Sequence, residues 1–264
     1  MEFAKYCAAG NDFVLMRESE AVRAGDDLAA VARRLCDRRR GIGADGLITV
    51  EPDPSGGVRM RIFNPDGSEA EMCGNGARAA AHFASAIGLA GESMTLVTLA
   101  GPIEARVDGD AASISYGLLP GRPEEMTLPV PGGKVQLWFY NSGVPHAVIP
   151  VEDVAAVDLP KLAPPLRRHK QFGKAGTNVD VIERTPGGIR MRTWERGVEG
   201  ETLACGTGAI ASALAAHELW GLDSPVTVEA TGGALTVSFK AARSGYEKVA
   251  LAGETRLVYR GKLS

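Results

Sequence analysis

Cys73 and Cys205 carry the most reactive chemistry in the chain, and each lies in the same local pattern. Glu69-Ala70-Glu71-Met72-Cys73-Gly74-Asn75-Gly76-Ala77 and Glu201-Thr202-Leu203-Ala204-Cys205-Gly206-Thr207-Gly208-Ala209 both place a glutamate four residues before the cysteine. Both then run through Gly-x-Gly into an alanine-rich stretch with helical spacing. The first turn of a helix presents unpaired N–H groups and a partial positive charge. A cysteine there is expected to have a stabilised thiolate, its pKa falling from about 8.5 toward neutrality. The glycines that follow let a ligand come close to the backbone.

Two such helix starts aimed at one pocket could bind a substrate carboxylate through their N–H groups. One thiolate would then take the proton from an α-carbon while the opposite thiol returns one to the other face. The charge left on removing the α-proton spreads into the carboxylate, where clamped donors stabilise it. This scheme needs no cofactor, and the sequence signals none. The bland alternative, two buried cysteines or a disulfide, leaves the duplicated pattern a coincidence.

The elements that must position the thiols are themselves duplicated. Val58 to Phe63 alternates as a strand, a polar loop leads to Cys73, and a helix follows to about Ile87. Met94 to Leu99, Gly101-Pro102 and Ile103 to Val107 then read as a hairpin. The programme returns as Ile189 to Trp194, the loop Glu195 to Ala204, a helix from Cys205 to Leu219, and strands at Val226 to Ala230 and Leu235 to Phe239. A unit this long implies two related lobes, not a stacked array. The proline- and glycine-rich stretch Gly117 to Lys134 reads as the boundary between them, Pro160 to Pro165 as a surface loop, and Lys248 to Arg260 as a last strand.

Other segments read more plainly. Phe3 to Arg17 is a strand broken by a turn at Ala9 to Asp12, and Asp27 to Arg38 has helical spacing. Gly41-Ile42-Gly43-Ala44-Asp45-Gly46 is a literal GxGxxG, yet it follows a helix and enters a strand, the reverse of a dinucleotide fingerprint. It reads as a glycine-rich loop beside a pocket. Cys7 and Cys36 read as packing residues, and Arg38-Arg39-Arg40 as a solvated helix end.

The 264 residues, 45% hydrophobic and 23% charged, are ordinary for a globular protein and can bury one large core or two small ones, of which the duplication favours two. A net charge of -3, from 29 basic and 32 acidic residues, leaves no footprint for nucleic acid. No run approaches the roughly 20 apolar residues of a membrane span. Met1-Glu2-Phe3-Ala4-Lys5 does not read as a signal peptide, and the protein is expected in the cytoplasm. Four cysteines without Cys-x-x-Cys or His-x-x-x-His spacing suggest reduced thiols and no metal site.

Seven segments together resemble the diaminopimelate epimerase family. They are Gly10-Asn11-Asp12-Phe13, Arg40 to Gly46, Phe63-Asn64-Pro65-Asp66-Gly67-Ser68, Glu71 to Arg78, Gly143-Val144-Pro145-His146, Gly176-Thr177-Asn178-Val179, and Glu195-Arg196-Gly197 running into Glu201 to Gly208. The resemblance implies cofactor-independent interconversion of LL- and meso-diaminopimelate, for lysine and peptidoglycan synthesis. It implies an α+β fold of two pseudo-symmetric lobes, each a curled antiparallel sheet around a central helix. The N-terminal lobe would span residues 1-118, joined by a final strand at about 250-264, and the C-terminal lobe residues 119-249, with the active site in the cleft between them.

The resemblance carries Cys73 and Cys205 over as the acid/base pair, and Gly74, Asn75, Gly206 and Thr207 as the α-carboxylate clamp. It carries Asn11, Asn64, Asn178, Glu195 and Arg196 over to the rest of the small amino-acid substrate, with His146 as a wall of the pocket. Arg196 offers a fork to a carboxylate and Glu195 a counter-charge to an ammonium. Val144 and Gly46 depart from the family pattern, which has asparagine and glutamine there. A homodimer is also implied. The rivals are a two-thiol racemase for another amino acid, such as histidine, and a non-catalytic amino-acid-binding or redox-sensing protein.

Overall fold

The computed structural model describes residues 1–22 and 27–263. The chain divides into two compact units, Met1–Ser115 with Ala252–Ser264, and Tyr116–Leu251. The first holds β1 (Glu2–Ala8), β2 (Asn11–Arg17), α1 (Glu18–Ala21), α2 (Leu28–Cys36), β3 (Gly46–Pro52), β4 (Val58–Phe63) and β5 (Glu69–Ala70). It continues with α3 (Gly74–Ala86), β6 (Ser93–Thr98), β7 (Gly101–Asp108) and the start of β8 (Ala111–Pro120). The second holds β9 (Glu124–Val130), β10 (Gly133–Asn141), β11 (Pro145–Pro150), α4 (Leu159–Arg167), β12 (Asn178–Thr185) and β13 (Gly188–Glu195). There follow β14 (Gly200–Thr202), α5 (Gly206–Trp220), β15 (Val226–Ala230), β16 (Gly233–Ala242) and β17 (Gly245–Lys262), whose far end pairs with β1 in the first unit.

Each unit repeats one pairing scheme. In the first, β2 runs parallel to β3 and β4 parallel to β6, while β3–β4, β4–β5 and β6–β7 are antiparallel. In the second, β11–β12 and β13–β15 are the parallel pairs, with β12–β13, β13–β14 and β15–β16 antiparallel. The sheets are therefore mixed where antiparallel ones were expected. The cause is the helices: α2, α3, α4 and α5 each serve as the crossover that a parallel pair requires.

Alanine explains why a helix can sit inside each sheet. Ala77, Ala79, Ala80, Ala81 and Ala84 of α3 are all buried, as is every residue of α5 from Gly208 to Ala216. A helix buried on nearly every side has no solvent face to keep polar. α3 packs on β1, β2, β3, β4, β6 and β7, and α5 on β10, β11, β12, β13, β15 and β16. A second layer lies outside each sheet. Val31 and Leu35 of α2 cluster with Val14, Met16 and Leu47, and Leu159, Ala163 and Leu166 of α4 with Ile149, Val179 and Val181.

One of the two proline-rich readings is corrected. Gly117 to Lys134, which directly follows the division between the units at Ser115 and Tyr116, holds the end of β8, all of β9 and the start of β10. Its prolines fall mostly at strand ends and turns, and only Pro129 lies inside a strand, opposite Lys134. Pro160 to Pro165 is helix, not loop. Asp158 caps α4 by accepting from the Lys161 amide, and Pro160 occupies the first turn, where a missing N–H costs nothing. Burial of Leu159, Ala163 and Leu166 then holds the helix through Pro164 and Pro165.

The glycine-rich loop after α2 caps that helix. The amides of Ile42 and Gly43 both donate to the Leu35 carbonyl at 2.9 Å, and that of Ala44 to Cys36. A Cβ on Gly41 would come within 2.2 Å of the Arg34 carbonyl oxygen, so the chain can cross the helix end only as glycine. Cys36 is buried, and burial pushes its thiol up to about 11, consistent with a packing residue.

Candidate active site

Both cysteines are helix N-caps, Cys73 of α3 and Cys205 of α5, in extended backbone and partly buried. Neither is in a disulfide. The amides of Gly74, Asn75, Gly206 and Thr207 open the two helices, where no intrahelical acceptor exists, and they have no acceptor among the described residues. The duplicated glutamate now has a structural role. Glu69 grips Arg61 with two bonds of 2.7 and 2.9 Å, and Glu201 grips Arg192 with bonds of 2.7 and 2.8 Å. Each pair ties the strand before the loop to the segment leading into the cysteine.

In the first unit Asn75 is held by neighbours on both sides of its amide. Its Nδ2 donates to Asn11 Oδ1 at 2.6 Å, and its Oδ1 accepts from the fully buried Arg78 at 2.7 Å. Asn11 in turn donates to Asp45 at 3.1 Å. Arg38 bridges Asp45 and Asp12, each at 2.7 Å, and Lys5 also pairs with Asp12 at 2.7 Å. Burial raises the Asp12 carboxyl, but Arg38 and Lys5 outweigh it and hold the group at about 2. Arg38 is thus bound into this cluster, and not simply a solvated helix end. Asn64 stands apart, closing its own turn through Ser68 at 3.0 Å.

The second unit gathers a denser group. Glu195, at the end of β13, accepts from Thr202 at 2.5 Å, and its carboxylate bears electrostatically on the Cys205 thiol. Burial, more than any other influence, pushes its carboxyl above the usual range, and Asp180 adds to the rise. Cys205 takes a bond from the Gly208 amide at 3.4 Å and another contact with Thr207 Oγ1 at 3.4 Å. The expected fall in its pKa is not found. Burial, then the charges of Glu195 and Asp180, push this thiol well up, and the two hydrogen bonds do not compensate. Desolvation outweighs the helix N-terminus.

His146 is completely buried, its Nδ1 at 2.7 Å from Asp180 Oδ2 and its Nε2 at 3.0 Å from Thr207 Oγ1. Asp180, equally buried, also accepts from Thr193 at 2.7 Å. Asn178 accepts from the Arg196 amide at 2.8 Å and donates to the Pro145 carbonyl at 3.1 Å, so its side chain orients the segment that carries Arg196. The Arg196 guanidinium has no ion-pair partner among the described residues. Asp180, Thr193 and Arg78 were not singled out from sequence. The available signal for Asp180 was a lone carboxylate inside the apolar run Val179 to Ile182.

Each of the two units thus caps a buried alanine-rich helix with a cysteine. The fold matches that of a PhzC/PhzF phenazine-biosynthesis protein from Clostridium difficile, with a TM-score of 0.72 at 13% identity, covering 100% of this chain and 99% of that one. It also matches a probable proline racemase from Agrobacterium radiobacter K84, TM-score 0.69 at 14% identity, covering 100% and 92%. The diaminopimelate epimerase family pattern matches residues 3–119 and 138–258. Diaminopimelate epimerases of Aquifex aeolicus and Methanocella arvoryzae are 42% and 38% identical to it, each over 100% of this chain and covering 98% and 96% of the relative. The chain belongs to the diaminopimelate epimerase family.

Proposed function

We infer that the protein interconverts LL- and meso-2,6-diaminopimelate by two-base proton transfer at the α-carbon, with Cys73 and Cys205 acting from opposite faces. The observation that carries this reading is the repeated thiol N-cap, with unpaired amides at Gly74 and Asn75 in one copy and Gly206 and Thr207 in the other. Those amides suit the α-carboxylate. On this reading Glu195 accepts the proton of Cys205, a thiol that burial and the nearby carboxylates push well above its ordinary range. This differs from the role as counter-charge to an ammonium. Arg196, with an uncommitted guanidinium, suits the distal carboxylate.

The test is solvent deuterium incorporation at the α-carbon of LL-diaminopimelate. It should be abolished by Cys73→Ala and by Cys205→Ala; near-normal turnover in either variant sinks the two-base reading. A panel of other amino acids tests the substrate, and racemisation of one of them without action on diaminopimelate would move the protein to another two-thiol racemase. No helix among the described residues is long and apolar enough to cross a membrane. We further propose a cytoplasmic homodimer. Leu257, Val258 and Tyr259 form an exposed apolar run on β17 that would suit such a contact, and Tyr259→Ala followed by sedimentation tests it.

A further inference from the structure

The strand pairs β1–β2 and β10–β11 are equivalent in the two units, so their inner faces can be compared position by position. Tyr6 opposite Phe13 in the first matches Tyr140 opposite His146 in the second. Two positions along, Ala4 opposite Leu15 matches Trp138 opposite Val148. Side chains alternate along a strand, so Ala4 faces the same way as Tyr6, whose ring meets His82 and Phe83 of α3. The second unit fills this inner place with a buried indole, and the first leaves only a methyl group. Phe83, where α5 has Ala215, takes up part of the difference. A cavity of about 610 Å³ remains in the first unit at the C-terminal end of α3, with Ala4, Phe83 and Ile87 among its lining residues. Pockets that hold small molecules run to about 300–1,000 Å³.

The mouth of this cavity is cationic. Arg260 lies directly opposite Ala4, Lys262 opposite Glu2, and Arg17 ends β2. All three line the cavity, and none makes an ion pair or a side-chain hydrogen bond among the described residues. Burial raises the Tyr6 hydroxyl and the Arg260 charge lowers it, so that charge is felt on the inner side of the strand. At the equivalent places the second unit has Glu125, Thr127 and Pro150, so the strand pairing does not call for positive charge here. Of the two carboxylates in the lining, Glu20 already accepts from the Glu2 amide at 3.3 Å. Like charges gathered around one opening repel, and an anion among them relieves that repulsion. The wall is shaped as well. A Cβ on Gly261 would come within 2.5 Å of the Phe3 ring, so β17 closes over that ring only as glycine.

We propose that the cavity at the foot of α3 binds a small amphipathic anion, its acidic group taken by Arg17, Arg260 and Lys262 and its apolar body lying against Ala4, Phe83 and Ile87. Guanidinium groups suit a carboxylate or phosphate oxygen pair, and the apolar surface gives the remainder of the ligand a place out of water. α3 has 13 residues and Cys73 caps its other end, so the site lies about 20 Å from the thiol. A ligand there stabilises the folded first unit by mass action and touches none of the reacting atoms.

The probe is anilinonaphthalenesulfonate, an aromatic anion that fluoresces on leaving water, titrated into the full chain. A single saturable site is expected, from which octanoate displaces the dye while octylamine and LL-diaminopimelate do not. Ala4→Trp, which copies Trp138, and Arg260→Met should each weaken dye binding by at least about tenfold, with epimerase turnover within about twofold of the parent. Unsaturable binding, equal displacement by octylamine and octanoate, displacement by diaminopimelate, or parent-like dye affinity in both variants overturns the site. A variant that changes sedimentation but leaves dye binding at parent strength assigns this surface to contact between copies, and overturns it too. Should Ala4→Trp fail to fold, Arg260→Met and Arg17→Met at the exposed rim decide alone.

Discussion

Phe13, Ile48 and Ile62 beneath the start of α3, and His146, Asp180 and Thr193 beneath the start of α5, show how far one backbone can be specialised without changing its strand pairing. The first unit keeps an apolar interior there and places its charges in an outer cluster of Lys5, Asp12, Arg38 and Asp45. The second brings His146 and Asp180 inside, with Thr207 between the imidazole and the thiol. The repeated cysteine caps at the helix ends therefore rest on unlike supports.

The comparison can be broken most severely by exchanging the interiors. Ile48→Asp with Ile62→Thr would bury a carboxylate with no imidazole to meet it, and should destabilise the first unit by more than about 3 kcal/mol, read by urea denaturation. The reverse exchange, His146→Phe, Asp180→Ile and Thr193→Ile together, should leave stability equal or higher because an apolar set replaces buried polar groups. Turnover should nevertheless fall by at least about tenfold. A stable and fully active triple variant would show that the polar interior has no part in the reaction.

Next in size is the contrast between Glu195 and Asn64, which occupy equivalent positions in the two loops. Glu195→Gln should lower kcat by about a hundredfold with little change in KM, because it removes a proton acceptor at Cys205. Asn64→Ala, on a turn closed by Ser68, should change kcat only severalfold. Comparable losses from both would erase the asymmetry.

The outer cluster of the first unit predicts a pH-dependent stability. Asp12 is held at about 2 in the folded chain against an unfolded value of about 3.9. A carboxyl depressed on folding stabilises the protein fully above the unfolded value, and the contribution disappears as pH falls through the folded one. Asp12→Asn should therefore cost about 2 kcal/mol at pH 7 and almost nothing below about pH 2. The smallest expected effect is that of Arg61→Ala, about 1 kcal/mol for the loss of a two-bonded carboxylate grip, while Arg192→Ala should cost more, because Arg192 also donates to the Val154 and Val157 carbonyls at 2.7 and 2.9 Å.

Much of this was legible from the chain. The repeated glutamate, cysteine and glycines, and the alanines behind them, marked the helix starts, because each residue type is demanded locally. Tertiary effects were not legible. The depressed thiol expected at Cys205 depends on the first turn of one helix, but the rise found there comes from burial and from carboxylates on β12 and β13 that are distant in sequence. Asp180 looked like one charge in an apolar strand until the register set it opposite Thr193. The prolines of α4 were read by local preference alone, which the packing of Leu159, Ala163 and Leu166 overrides.

That helix has one more consequence. α4 is the crossover between β11 and β12, the strands that carry His146 and Asp180. With Pro160, Pro164 and Pro165 in one short segment, its backbone is already restricted before folding, and less conformational freedom is lost when it orders. Three of its residues carry no amide hydrogen, so hydrogen exchange will sample this crossover thinly even where it is well ordered. A stiff connection leaves the two strands little room to slip by a residue, and such a slip would turn the Asp180 carboxylate to the opposite face of the sheet.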